Sequence, residues 1–332
     1  MSDISFGRNA TFAFAKETTY GEAWGSPTLI GLYLTKPPDL NPNIEPIKES
    51  HLSGRPELST TDIQQGIKNW TLSIEGQFPK EALGFILLSL FGKVTTPAPS
   101  GGFYTHTFVP STTSPASLKI QLRNPLATND TEWRLRGGKV KSFKITFAQN
   151  SFVKFSAEFV GGGWARHTAL SAAPSVPVPA SGNLWYLWSS TPVCTIATAN
   201  FPITSGELTF ESVLSEDVND SYEFGSSDRI RLERASNEDA FKVKGTLKAV
   251  WQSVTALTAY DAFTDLAIVL SFTDSTYAIT NTLSHCRLLK APTQVAKGLG
   301  LVEETVEFEA FTSGTEGDIT LAYKDKQAEP AT

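Results

Sequence analysis

The residues of this 332-residue chain that could do chemistry are few and scattered. Its four histidines, His51, His106, His167 and His285, never fall at the HxxxH or HExxH spacing that sets two imidazoles on one helix face for a metal. Ser284, His285 and Cys286 place a hydroxyl, a base and a thiol in a row. No second ligand pair stands at metal spacing, so a structural histidine beside a core cysteine is the reading to prefer. No serine sits in a GxSxG elbow. The glycine clusters GGFYTHTF (101–108) and VGGGWA (160–165) lack GxGxxG or P-loop spacing and read as turns. The acidic residues between 215 and 239 miss the EF-hand register. The sequons NAT, NWT, NDT and NDS matter only in an exported chain. No catalytic residue, metal site or cofactor is expected.

What the chain does have is material for a core. Apolar residues make up 40% of it and charged residues 19%, with 21 Phe and 7 Trp, so a large packed domain or two ordinary ones can form. The formal net charge of -6, with the two signs interspersed, argues against a basic clamp for nucleic acid. It leaves open a surface past which nucleic acid slides without sticking. The start, MSDISFGRNATF, lacks the basic and apolar blocks of a secretory signal. No stretch approaches the roughly 18 apolar residues of a membrane span. Cys194 and Cys286 are too few for a disulfide scaffold and are expected as free buried thiols in a reducing compartment. These features predict a soluble protein made in a cytoplasm.

The elements that fill the chain are strands. GGKVKSFKITFAQNSFVKFSAEFVGG (137–162) puts Phe143, Ile145 and Phe147 on one face, then returns with Val153, Phe155, Ala157 and Phe159, which predicts an antiparallel hairpin. Residues 5–36 read as an arm followed by a strand, and NWTLSIEGQF (69–78) as a strand. PKEALGFILLSLFG (79–92) reads as a helix between Pro79 and Gly92, and SLKIQLR (117–123) as a strand. The second half restarts with ELTFESV (207–213), AFKVKGTLKAVW (240–251), a short helix in TALTAYDAFTDLA (255–267), LAIVLSFTD (266–274) and a hairpin over 286–314. Its last strand alternates Val302, Glu304, Val306 and Phe308 against Glu303, Thr305, Glu307 and Glu309. Long polar connections occupy 37–68 and 214–239. The shared order of strand, polar loop, strand, helix, strand and hairpin predicts an internal duplication. The expected domains are 1–163 and 205–323, joined by an Ala/Ser/Pro-rich linker (164–204) and followed by a flexible tail (324–332).

AKETTYGE near the start, the stretch from HLSGRPELSTTD to LLSLFG, FYTHTFVPSTTSPASLKIQL and the 137–162 hairpin together resemble the tail tube proteins of long-tailed bacteriophages, in their larger duplicated form. The resemblance runs over nearly the whole chain and is weakest in 163–204. It implies a mainly β fold of two tandem β-sandwich domains, each with one flanking helix, whose long hairpins join an inter-subunit β-barrel. It implies a virion protein that self-assembles into trimeric, pseudo-sixfold rings stacked as a hollow tube for genome ejection. The partners so implied are the chain itself, the tape measure protein, the tail terminator and tail-tip proteins, and passing double-stranded DNA.

On that reading the wet side of the hairpins lines the channel, with candidates Ser73, Glu75, Lys144, Ser156, Glu158, Glu303, Glu307 and Glu309. A lumen for DNA should hold few attractive cations, because each neutralised phosphate adds friction. Lys144, Lys154, Lys242 and Lys244 meet that demand only if paired across strands with glutamates. The same alternation equally fits an outer solvated face. The candidates for ring-to-ring contact are Glu45, Lys48, Glu49, Arg55 and Glu57 in the first long loop, and Glu216, Asp217, Asp228, Arg229, Arg231 and Arg234 in the second. A competing reading is a carbohydrate-binding β-sandwich or adhesin that stacks sugars on Trp185, Tyr186 and Trp188. A hydrolase on a β scaffold ranks far behind.

Overall fold

The computed structural model describes residues 11–48, 63–111, 114–124, 131–171, 193–215, 232–234, 241–251, 254–274, 276–291, 293–297, 301–328 and 330. In the first half the elements are β1 (Thr11–Lys16), β2 (Ile30–Leu32), β3 (Asp39–Lys48), β4 (Ile63–Gln77), α1 (Gly84–Phe91), β5 (Gly92–Thr95), β6 (Tyr104–Pro110), β7 (Leu118–Asn124), β8 (Thr131–Ala148), β9 (Lys154–Gly161) and β10 (Trp164–His167). The second half has β11 (Cys194–Ile196), β12 (Ala199–Asn200), β13 (Ile203–Ser212), β14 (Phe241–Val250), α2 (Thr255–Asp261), β15 (Leu266–Asp274), β16 (Tyr277–Leu288), β17 (Thr293–Lys297), β18 (Leu301–Phe311) and β19 (Ile319–Asp325).

The fold is mainly β, a large antiparallel sheet system consistent with a β-sandwich. Its front layer runs β3-β4-β9-β8-β13-β14-β18-β17 without a break. Behind it lie β2-β1-β7-β8-β10 in the first half and β12-β11-β15-β16-β19-β6-β5 in the second. Strands β8 and β16 pass from one layer to the other. β8 pairs with β10 up to Leu135 and with β9 from Lys139, while β16 pairs with β19 up to Leu283 and with β18 from His285.

The pairings of the first half recur in the second. β1–β2, β1–β7, β7–β8, β8–β10, β8–β9, β4–β9 and β3–β4 have their counterparts in β11–β12, β11–β15, β15–β16, β16–β19, β16–β18, β14–β18 and β13–β14. Even a bulge repeats. Between Leu118↔Gly138 and Ile120↔Leu135 the partner strand advances by one residue more, as it does between Leu266↔Cys286 and Ile268↔Leu283.

The halves are stitched together twice by strand pairing. β8 and β13 pair from Ser142↔Glu211 to Ala148↔Ser205, and β6 pairs with β19 from Tyr104↔Asp325 to Phe108↔Leu321. One contiguous core fills the space behind both. Phe91 at the end of α1 packs 5.4 Å from Phe210 and 5.1 Å from Phe241, so a first-half helix rests on second-half strands. Nearly every side chain of α1 is buried, as its Ile/Leu/Phe sequence requires, and Gly92 ends it in a left-handed conformation with φ 92°.

The structure corrects several boundaries. The polar connection 37–68 contains β3 and the start of β4. Pro42 and Pro46 sit on a strand that, among the described residues, has a partner on one side only, where proline is tolerated. α1 starts at Gly84 instead of Pro79, after bends in which Ala82 takes φ 80°. The stretch 164–204 contributes β10, β11 and β12, each paired into the back layers. The tail from 324 begins inside β19. His106 Nε2 lies 3.2 Å from Asp325 Oδ1 and 2.9 Å from the Gln327 carbonyl, and Thr96 Oγ1 donates to the Pro330 carbonyl at 3.1 Å. His106 and Asp325 are fully buried, so residues 324–327 belong to the packed body.

Candidate functional site

The strand register sets out a polar, wet face on the front layer. One cross-strand row reads Asp39, Ser73, Glu158, Ser142, Glu211 and Lys242. The next reads Glu75, Ser156, Lys144, Thr209, Lys244 and Glu309. A third reads Gln77, Lys154, Thr146, Glu207, Thr246 and Glu307. Residues alternating with these, Leu72, Ile74, Ala157, Ile145, Leu208, Phe210, Val243 and Leu247, are buried, which fixes the polar set to one side.

Seven of the eight sequence-predicted lumen residues fall in these rows, and Glu303 stands opposite Val250 farther along β18. Glu207, Thr209 and Glu211 of β13 join them. Periodicity predicts 207–213 as a strand, and its polar side, absent from the predicted lumen residues, is signalled by the alternation around Leu208 and Phe210.

Three of the four lysines in the rows are matched by carboxylates, and Lys154 stands between Gln77 and Thr146. Lys144 Nζ lies 2.5 Å from Glu207 Oε2, and Lys242 and Lys244 stand opposite Glu211 and Glu309. At the margins Lys36 pairs with Glu75 at 2.5 Å and Lys290 with Glu307 at 2.7 Å. These pairs are substantially solvent-exposed, so each contributes about 0–1 kcal/mol and acts mainly on the surface field. Carboxylates outnumber ammonium groups along the three rows, leaving a face that repels phosphate on balance.

Beneath the rows, Glu304 breaks the inward series of β18. It is buried, its Oε1 has no hydrogen-bond partner among the described residues, and burial pushes its carboxyl above the usual range. The register places it where β9 has Phe155: Phe155 lies opposite Ile145 and Gly76, and Glu304 opposite Gln294 and Ala249.

Of the inter-ring candidates, Lys48 lies exposed at the end of β3, and Glu45 lies on that strand. Glu49, Arg55, Glu57, Glu216, Asp217, Asp228, Arg229 and Arg231 lie outside the described residues, as do Trp185, Tyr186 and Trp188. β4 gains its second partner, β9, only from Trp70 onward. The two-stranded ribbon before it, with Ile44, Ile47 and Ile63 exposed, therefore projects from the sheet.

Arg234 is buried within the chain. Its Nη1 donates to the carbonyls of Phe91 at 3.1 Å and Ser111 at 2.6 Å, its Nη2 to that of Leu90, and its Nε to Ser212 Oγ at 3.0 Å. Burial pulls the guanidinium down to about 10, which still leaves it charged at neutral pH. Its charge therefore serves the C-terminus of α1, where unpaired carbonyls gather.

His285 lies between Asp265 Oδ2 at 3.3 Å and Asp318 Oδ1 at 3.8 Å, while the Cys286 thiol is buried, with Sγ 3.9 Å from the Leu283 carbonyl. Among the described residues no group of His, Cys, Asp or Glu could hold a metal ion, and no helix is long and apolar enough to cross a membrane. A family model described as phage tail tube protein matches residues 7–310. No curated protein gives a significant match.

Proposed function

The chain belongs to the phage tail tube protein family, and from that membership we propose that it is a structural virion protein whose copies close into rings, stack into the hollow tail tube, and pass DNA along the polar face of the front layer. The observation that carries this reading is the front layer itself. It is continuous across both halves, polar on one side, and ends in two strands, β3 and β17, that have a partner on one side only among the described residues. A sheet of this kind removes its edges by closing on further copies.

The chain divides into two tube units, about 1–163 and 205–323 with 164–204 between them, and the repeated pairings extend the first through β10 and start the second at β11. Three chains then supply six similar units, which is the pseudo-sixfold ring the duplication implies. Successive rings meet through the β3–β4 ribbon and the charged segments 45–57 and 216–231, whose mixed charge sets register more than affinity. Stacking is head to tail, the arrangement that yields an open filament. The tape measure, tail terminator and tail-tip proteins are the partners at the lumen and the ends, and assembly takes place in the host cytoplasm. The chain's role is architectural, with no catalytic step.

Reversing charge on the face tests the lumen assignment. Glu158→Lys combined with Glu307→Lys places two cations per chain on the rows, repeated in every ring. DNA release in vitro from particles carrying the variant is expected to slow several-fold at low salt and to recover at high salt, because each added phosphate contact brings counterion release. Release kinetics identical to wild type at both salt concentrations would place this face away from the DNA.

A further inference from the structure

We infer that β17 of one copy pairs antiparallel with β3 of the next through a three-residue ladder, Thr293↔Asn41, Gln294↔Leu40 and Val295↔Asp39. The inference rests on the tube reading and adds to it a specific joint, taken from a contact that the chain already makes with itself.

Inside the chain, first-half β8 meets second-half β13 as Lys144↔Thr209, Ile145↔Leu208 and Thr146↔Glu207. The repeated pairings identify the counterparts of both strands. After the shared bulge, Val140↔Phe159 corresponds to Leu288↔Phe308. Beyond a one-residue shift between Val140 and Ser142, Lys144, Ile145 and Thr146 lie opposite Ser156, Phe155 and Lys154, just as Thr293, Gln294 and Val295 lie opposite Thr305, Glu304 and Glu303. β17 is thus the counterpart of the far part of β8, separated in sequence from β16 by residues 289–292.

On the other side, Ser73 lies opposite Glu158 and Asp39, while Thr246 lies opposite Glu307 and Glu207. Asp39, Leu40 and Asn41 are therefore the counterparts of Glu207, Leu208 and Thr209. Among the described residues, the partner that β13 finds in β8 is the partner that β3 lacks, and the partner that β8 finds in β13 is the one that β17 lacks. The contact runs from one surface to a different one, so it propagates head to tail and closes when the rotation allows.

The new joint is shorter than its template. Pro38 and Pro42 flank the Asp39–Asn41 stretch and offer no N–H to a ladder, whereas β8 and β13 pair over Ser142–Ala148. A chain therefore completes its internal joint on folding and leaves the joint between copies as the weaker step.

The test is disulfide trapping. Directly opposed residues of an antiparallel pair sit about 4.5–5.5 Å apart, within disulfide reach, while a diagonal neighbour lies at about 7–8 Å. Asp39→Cys/Val295→Cys chains, oxidised after assembly, are expected to form covalent oligomers at least tenfold more completely than the off-register pair Asn41→Cys/Val295→Cys. Cys194 and Cys286 are buried and do not compete. Assembled tubes that cross-link equally in both pairs, or in neither, overturn the joint and leave the tube reading standing. Failure of the unaltered chain to assemble at all removes the tube reading, and the joint with it. Should the cysteine variants fail to fold, amide exchange on wild-type protein decides. Peptides spanning 39–41 and 293–295 gain protection on assembly if the joint forms, and an unchanged exchange rate overturns it.

Discussion

Arg234→Ala is expected to lower the unfolding free energy of the unassembled chain by roughly 3 kcal/mol or more, because the buried carbonyls of Leu90 and Phe91 lose a donor that water cannot replace, and the half-buried Ser111 carbonyl loses one as well. Two of those carbonyls belong to the last turn of α1, so the loss falls on a helix whose Phe91 supports Phe210 and Phe241 of the second half. The guanidinium also lies 5.2 Å from the Phe241 ring, a contact that the truncation removes with the hydrogen bonds. Arg234→Lys keeps the charge without the planar fork and should recover only part of the stability. Urea unfolding at low protein concentration measures both variants, and amide exchange over 84–92 locates the effect. A loss below about 1 kcal/mol, with α1 exchange unchanged, would mean that the helix end is satisfied without this residue.

Gly161→Ala carries a comparable expectation for a different reason. Gly161 pairs with Trp70, and a Cβ there would lie 2.2 Å from the Trp70 ring. The indole cannot retreat. It is fully buried, and its Nε1 donates to the carbonyls of Arg136 and Gly163, each at 3.2 Å. Overpacking of this kind commonly costs about 1–3 kcal/mol, and a clash with a locked ring belongs at or above the upper end. Trp70→Leu alone leaves a cavity and is also destabilising, by about 3 kcal/mol. Combined, the two changes relieve one another, so the double variant should be more stable than the sum of the single losses by at least about 1 kcal/mol. Strict additivity would show that the strands spread to admit the methyl group.

The sequence carried the alternating strands well. Phe143, Ile145 and Phe147, and their return partners Val153, Phe155, Ala157 and Phe159, are all buried as the period-two pattern requires. It also carried the polar side of those strands, since choosing the buried face chooses its opposite. What it hid was hidden by residue type. β16 passes through Asn281, His285 and Arg287, and the fully buried Asn281 interrupts the apolar series that would otherwise announce a strand. β3 carries two prolines, tolerated because one side of it has no strand partner among the described residues, a property of the folded sheet that no local window contains. The end of the chain reads as polar and frayed, yet Asp325 is buried beside His106, a pairing between residues far apart in sequence. Arg234 looked like one more charge in a charged loop, and only the arrival of α1 from the other half gives it a role. Local patterns were legible where burial alternates regularly, and long-range partners were not.

Cryo-electron microscopy of the purified chain at high concentration tests the assembly most directly. The expected result is hollow tubes of stacked rings, three chains to a ring, with Glu158, Glu207 and Glu309 facing the channel and unbroken sheet around each ring. A population of dispersed monomers under every assembly condition, or tubes whose channel is lined by any surface other than the front-layer rows, would contradict it.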